Sequence, residues 1–234
     1  PVPFYDTTGT FQTPEQSLPQ SLEAKLTTKI KSDSTVKTFL EACTTPTIFT
    51  ISSITSKEGF ERSPPPFKTS TLQQQASSRL GMNSKRCMSV AQSLFQKGKI
   101  SYHRTDCENL SGDVHKEVQK RIKAMFGSQF YKQTFYKTKT KNAQEAHEAI
   151  RPVNIAEMSL DGPATNDEQR LYALIWKRTI ASQMIPLKKQ VYTVTISISS
   201  TKKKFVSKLE IILELGWRRV YQDTLGDQSA IKNL

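Results

Sequence analysis

The segment GKISYHRTDCENLS, positions 98–111, sets a phenol at Tyr102, an imidazole at His103, a guanidinium at Arg104 and a carboxylate at Asp106. A phenol ionises at about 10, so tyrosine is a poor nucleophile at neutral pH. It becomes a useful one when neighbouring cations stabilise both the phenolate and a target phosphate. On an extended backbone successive side chains alternate between faces, so Tyr102 and Arg104 project the same way. One can attack a phosphate while the other neutralises the charge that develops on it. The same residues also fit a core tyrosine beside a surface ion pair of Arg104 with Asp106, and the spacing alone leaves both readings open.

His147, in NAQEAHEAIRP at 142–152, poses a similar choice. Near neutral pH it can donate a hydrogen bond to a phosphate oxygen or carry a proton to a leaving group. A helix histidine with a structural hydrogen bond fits as well. The pattern is not the His-Glu-x-x-His of a zinc helix. His103 and His115 have no supporting neighbours and are expected at the surface. Cys43, Cys87 and Cys107 are odd in number and far apart, with no Cys-x-x-Cys, so neither a zinc site nor a disulfide framework is indicated. This suits a reducing, intracellular compartment.

The charge supplies a partner class. The 234 residues carry a formal net charge of +13, which favours an anionic partner, most commonly nucleic acid. Positions 63–105 contain Lys68, Arg79, Lys85, Arg86, Lys97, Lys99 and Arg104 and no Asp or Glu. A second basic run mixes Phe130, Tyr131, Phe135 and Tyr136 with Lys132, Lys137, Lys139 and Lys141. Aromatic faces that stack bases beside lysines that follow phosphates suit single-stranded nucleic acid. Core aromatics with lysines snorkelling outward would give the same composition. No apolar run is long enough to cross a membrane.

The elements that position these residues read as an α+β fold. Residues 1–20 are rich in Pro, Thr and Gln and read as extended or loop. Positions 33–43 read as a short helix capped by Asp33 or Ser34, and 47–54 as a strand. The prolines of SPPPF at 63–67 mark a boundary. Helices are expected over STLQQQASSRLG and NSKRCMSVAQSLFQKG, the latter ending at Gly98, and together they resemble a helix-turn-helix. Further helices are expected over SGDVHKEVQKRIKAMFG, over NAQEAHEAI, and over NDEQRLYALIWKRTIASQM, which a Thr165–Glu168 capping box opens. After Pro186 the apolar period becomes two, and KQVYTVTISIS with KFVSKLEIILE predicts a hairpin. The expected organisation is a mainly helical domain at 64–186, with helix-turn-helix-like units, inserted into a β-rich domain built from 1–63 and 187–234.

The segment from PPPFKTSTLQQQASSRLGMNSK to SYHRTDCENLS strongly resembles the central region of type IA DNA topoisomerases, with their PPFTTSTLQQ run and TYxRTDS active-site strand. NAQEAHEAIRPV resembles a second signature of that family and LYALIWKRTIASQM a third, in the family's order. The β-rich flanks resemble its arch domain. The resemblance implies that Tyr102 is the nucleophile, forming a 5′-phosphotyrosyl bond with one DNA strand before strand passage and religation. It implies that Arg104 stabilises the scissile phosphate, that His147 contacts the phosphate region, and that Asp106, Ser101 and Glu145 support the site. Arg79, Lys85, Arg86, Lys99, Lys137, Lys139 and Arg151 are the expected DNA contacts, with single-stranded DNA preferred. Cys107 departs from the family's usual Ser. The family uses Mg²⁺ and no ATP for the chemistry, and its acidic metal-binding module has no counterpart in these residues, so no metal ligand is assigned. The expectation is a central fragment, monomeric, that binds DNA but does not relax it alone. The alternative is a helix-turn-helix module that binds DNA without catalysis.

Overall fold

The computed structural model describes residues 3–12, 21–44, 46–136 and 148–224. The chain divides into two compact units, one of residues 1–60 with 188–213 and the other of 61–187 with 214–234. The first is β-rich. Its five-stranded sheet has the order β1-β2-β5-β4-β3, with β1 at Thr8–Gln12, β2 at Ser21–Leu26, β3 at Phe49–Glu61, β4 at Leu187–Ile198 and β5 at Thr201–Glu214. β1 pairs antiparallel with β2, Thr8 opposite Lys25, and β2 with β5, Leu26 opposite Phe205. Leu22, Ala24, Val194, Ile196, Ile198 and Phe205 form one buried cluster with Ile30 and with Phe39 of α1 (Asp33–Ala42).

Local chemistry shifts some expected boundaries. Residues 8–12, within the stretch read as extended or loop, form a strand, because β2 offers them a ladder. α1 is capped by Ser32, whose hydroxyl accepts from the Thr35 N–H, rather than by Asp33 or Ser34. β3 runs on to Glu61, beyond the β-branched stretch that announced it. The 187–234 segment is not all β: Gly216–Thr224 is a 3₁₀ helix that clusters with the helical unit. A side chain at Gly216 would meet the Pro186 carbonyl oxygen at 2.3 Å, and its φ is +50°, so only glycine fits. Next to it, the Trp217 N–H donates to Ile185 O (2.9 Å), its indole N–H to Glu61 O (3.2 Å), and Arg218 pairs with the Glu61 carboxylate (2.9 Å). The 3₁₀ helix thus ties together the two chain segments that open and close the helical block.

The helical unit contains α2 (Thr69–Leu80), α3 (Ser84–Gln96), α4 (Gly112–Phe126) and α5 (Asn166–Ser182). α3 begins at Asn83, whose side chain accepts from the Arg86 N–H, and the chain leaves it through Gly98 at φ +66°. α5 is the core element: Leu171, Tyr172, Ile175, Trp176 and Ile180 are buried. Two of its aromatics also hold a loop by their polar tips, Tyr172 Oη donating to Glu157 O (2.8 Å) and Trp176 Nε1 to Ile155 O (3.0 Å). His115 is buried in α4 against Phe135, not at the surface, because Phe135 lies across it at 5.0 Å between centroids.

The α5 capping box does more than start the helix. Glu168 accepts from the Thr165 N–H, and its other oxygen accepts from Ser93 (2.7 Å) and Lys97 (2.6 Å) at the end of α3. Lys97, Ser93 and the Thr165 amide hold its carboxyl down at about 2, against the opposing effect of burial. A carboxylate whose pKa falls on folding stabilises the fold above its unfolded value, and that stabilisation disappears as pH drops through the folded value. Glu168→Gln is therefore expected to lower stability at pH 7 and to flatten the acid limb between about 4.5 and 2, read by denaturant melts across that range. An unchanged acid limb would remove Glu168 from this role.

Candidate active site

Residues 100–106 form neither helix nor strand, and the chain bends at Ser101, His103 and Arg104. Their backbone groups still need partners, and two neighbouring segments provide them. On one side lies 149–153, from the second signature. Ser101 N–H donates to Arg151 O (2.8 Å), Val153 N–H to Lys99 O (3.0 Å), and Ile150 N–H to Phe67 O (2.8 Å). The Ser101 hydroxyl donates to Ala149 O (2.8 Å) and accepts from the Arg151 N–H (2.9 Å). On the other side stands Thr69, the first residue of α2. Its N–H donates to Thr105 O (2.9 Å), and its hydroxyl accepts from the Thr105 N–H (2.9 Å) and donates to His103 O (2.9 Å).

Between these clamps the side chains alternate. Tyr102, Arg104 and Asp106 are exposed, while His103 and Thr105 are buried. Tyr102, 48 % exposed, has its ring 5.4 Å from both Phe95 and His103. His103 is thus not a surface residue: the Phe95 and Tyr102 rings cover it. Burial and the adjacent Arg104 charge lower its pKa below the ordinary 6.5, so the imidazole is neutral at pH 7. Arg104 and Asp106 form no ion pair with each other, or with any other described residue. The tyrosine is therefore neither a core residue nor the neighbour of a surface ion pair. A phenol and an uncommitted guanidinium share the solvent side of a backbone pinned at both ends. That arrangement can present a nucleophile and a charge-assisted donor to one phosphate.

The expected DNA contacts divide. Arg79 is exposed, with Nε on Gln75 Oε1 (2.7 Å), and Lys85 is exposed with no ion pair among the described residues. Arg86 is committed to Asp167 (2.6 Å), Lys99 to Glu157 (2.7 Å) and Arg151 to Glu148 (2.8 Å). Lys137, Lys139, Glu145 and His147 lie outside the described residues. In the aromatic run, Phe130 is buried and Tyr136 turns inward, its hydroxyl donating to Ser182 O (2.8 Å), whereas Phe135 stays largely exposed. Cys107 lies in an irregular stretch, its N–H donating to Thr105 Oγ1 (3.1 Å) and its sulfur accepting from the Asn109 N–H (3.4 Å). The Asn109 side chain in turn holds Tyr136, accepting from its N–H and donating to its carbonyl, both at 2.8 Å.

Sequence reasoning missed Thr69, Asn109 and Phe95. Only Thr69 had a signal, a hydroxyl at a helix start. Thr69→Val keeps the shape and removes the hydroxyl, leaving backbone groups of 103 and 105 unpaired. We expect a loss of about 1–3 kcal/mol in a urea melt, with Thr69→Ser recovering most of it. Equal stability of the Val variant would show that the clamp does not matter.

With this geometry in place, the comparisons with known proteins are informative. A family model described as DNA topoisomerase matches residues 1–234. A prokaryotic-type DNA topoisomerase 1 of Acanthamoeba polyphaga mimivirus is 38 % identical over 83 % of this chain and 24 % of its own length. DNA topoisomerase 1 of Campylobacter jejuni is 40 % identical over 85 % of this chain and 29 % of its own length. The full-length topoisomerase I structure from Thermotoga maritima superposes with a TM-score of 0.70 at 26 % identity, covering 94 % of this chain and 36 % of that one. The chain spans about a quarter of the length of the curated relatives it matches. It belongs to the DNA topoisomerase family, in the prokaryotic type I branch that the type IA signatures mark.

Proposed function

We propose that this chain is the nucleophile-bearing part of an enzyme that opens and reseals one DNA strand. The observation that carries the reading is the exposed Tyr102 beside an uncommitted Arg104 on a stretch pinned by Thr69 and Ser101. The Tyr102 phenolic oxygen attacks a phosphorus, and the bond from that phosphorus to the 3′-oxygen breaks. The 3′-oxygen leaves with a proton in place of the one the phenol gives up. The 5′-phosphate stays on the tyrosine, and reversal of the same exchange reseals the strand after another strand has passed. One phosphodiester replaces another, so no ATP is consumed. Arg104 carries the charge on the phosphate oxygens. His147, Glu145 and Asp106 take the supporting roles that the signatures imply, and Lys137 and Lys139 contact DNA beside Arg79 and Lys85.

The family resemblance brings Mg²⁺ with it. Among the described residues no three His, Cys, Asp or Glu side chains come together. No metal ligand is assigned among them, and none of the bond changes above passes through a metal ion. The chain by itself binds single-stranded DNA, as an intracellular monomer, without relaxing supercoiled DNA. Binding weakens with salt, because phosphate contacts release counterions.

The test is a denaturing gel of labelled single-stranded DNA incubated with the full-length enzyme that carries this chain. Tyr102→Phe removes one hydroxyl from an exposed ring, so the fold and DNA binding persist while the covalent adduct disappears. Arg104→Ala keeps the nucleophile and slows cleavage by ~10²-fold or more. An adduct that survives Tyr102→Phe would assign the nucleophile to another residue.

A further inference from the structure

Phe95 is left unexplained by the chemistry above. It lies in the last turn of α3, is 39 % exposed, and contacts Tyr102 and His103 at 5.4 and 5.7 Å between ring centroids. A single exposed apolar residue is ordinary on any surface. This one sits against the ring of the proposed nucleophile, and both rings keep a large open area. Buried His103 backs them, so the pair is held rather than free. The same helix face continues away from the site through Gln92, Ser89 and Lys85, all exposed and at helical spacing. From Lys85 to Phe95 the face is ~15 Å long, room for roughly four stacked nucleotides at ~3.4 Å each.

We infer that Phe95 is a stacking shelf for the base of the nucleotide whose 5′-phosphate Tyr102 attacks, with the α3 face of Gln92, Ser89 and Lys85 carrying the strand onward. This inference rests on Tyr102 being the nucleophile. The chemistry suits single-stranded DNA: an aromatic ring takes any base, the amide and hydroxyl offer hydrogen bonds, and Lys85 meets a phosphate. Arg86, on the neighbouring face, is taken up by Asp167, so the cation left for this track is Lys85. Stacking fixes the base without reading its edges, so the shelf positions the scissile phosphate with little sequence demand.

The test uses the 234-residue chain and single-stranded oligonucleotides with 2-aminopurine placed at successive positions. One position should be quenched on binding, and Phe95→Leu should abolish that quench and weaken binding roughly 5- to 100-fold. Phe95→Tyr should retain both. Phe95→Trp reads stacking directly, because the native Trp176 and Trp217 are buried at 2 % and 6 % exposure and give a steady background. Its emission should fall saturably with oligonucleotide. Unchanged tryptophan emission at saturation, or a Phe95→Leu chain that binds and quenches like the parent, would overturn the shelf. None of these readouts needs cleavage, so they fail separately from the Tyr102 adduct assay. An adduct on Tyr102 with no quench at Phe95 removes the shelf alone, and a quench with no adduct removes the nucleophile instead.

Discussion

The stretch that carries Tyr102 poses a problem of unpaired backbone. Residues 100–106 are irregular and lie outside the sheet, so no ladder satisfies their N–H and C=O groups. Left alone, such a segment would be solvated and mobile, and a tyrosine on it would occupy many positions. The Thr69 hydroxyl and amide on one side, and Ser101 with the 149–153 segment on the other, replace the missing ladder. These contacts come from three regions far apart in sequence. The whole helical block must therefore be folded before Tyr102 has a fixed position. α5, with Trp176 and Tyr172 anchoring the 155–157 loop next to that second segment, is part of the same support.

Charge is sorted by the same fold. The acid-free run at 63–105 suggests a surface of seven unopposed cations. The structure pairs four of them with carboxylates from later in the chain: Lys68 with Glu108, Arg86 with Asp167, Lys97 with Glu168 and Lys99 with Glu157. Three are left without an ion pair among the described residues: Arg79, Lys85 and Arg104. Apart from Lys97–Glu168, whose carboxylate is buried, the pairs are partly exposed and individually worth little, and their main effect is to determine which cations stay available. A local count of charge could not reveal this, since every partner lies beyond position 105.

What the sequence disclosed follows the range of the forces involved. The helix-turn-helix pair, the ends of α3 and the capping box of α5 are set by contacts within four residues, and Asn83, Gly98, Thr165 and Glu168 announce them. The β4–β5 strands show in the period of Tyr192, Val194, Ile196 and Ile198. The alternation placing Tyr102 and Arg104 on one side is equally local. The errors are non-local. The choice between extended and loop at 8–12 is open in the sequence for the same reason, since β1 forms by pairing with β2. His103 and His115 are buried by Phe95 and Phe135, which lie 8 and 20 positions away in sequence.

His103 shows why a neutral ring serves this position. Its side chain points inward, so a charged residue there would place a cation under Tyr102 and beside Arg104. Burial and the Arg104 charge both disfavour the protonated imidazole, and the residue behaves at neutral pH as a flat packing element. It fills the space below Phe95 and Tyr102 while its backbone carbonyl accepts from Thr69. The alternation of the stretch thus separates two tasks. The inward residues, His103 and Thr105, fix the backbone through packing and through hydrogen bonds with Thr69. The outward residues, Tyr102 and Arg104, make none of the hydrogen bonds that hold the backbone; the Tyr102 ring rests on Phe95 and His103, and its exposed part stays open without being loose.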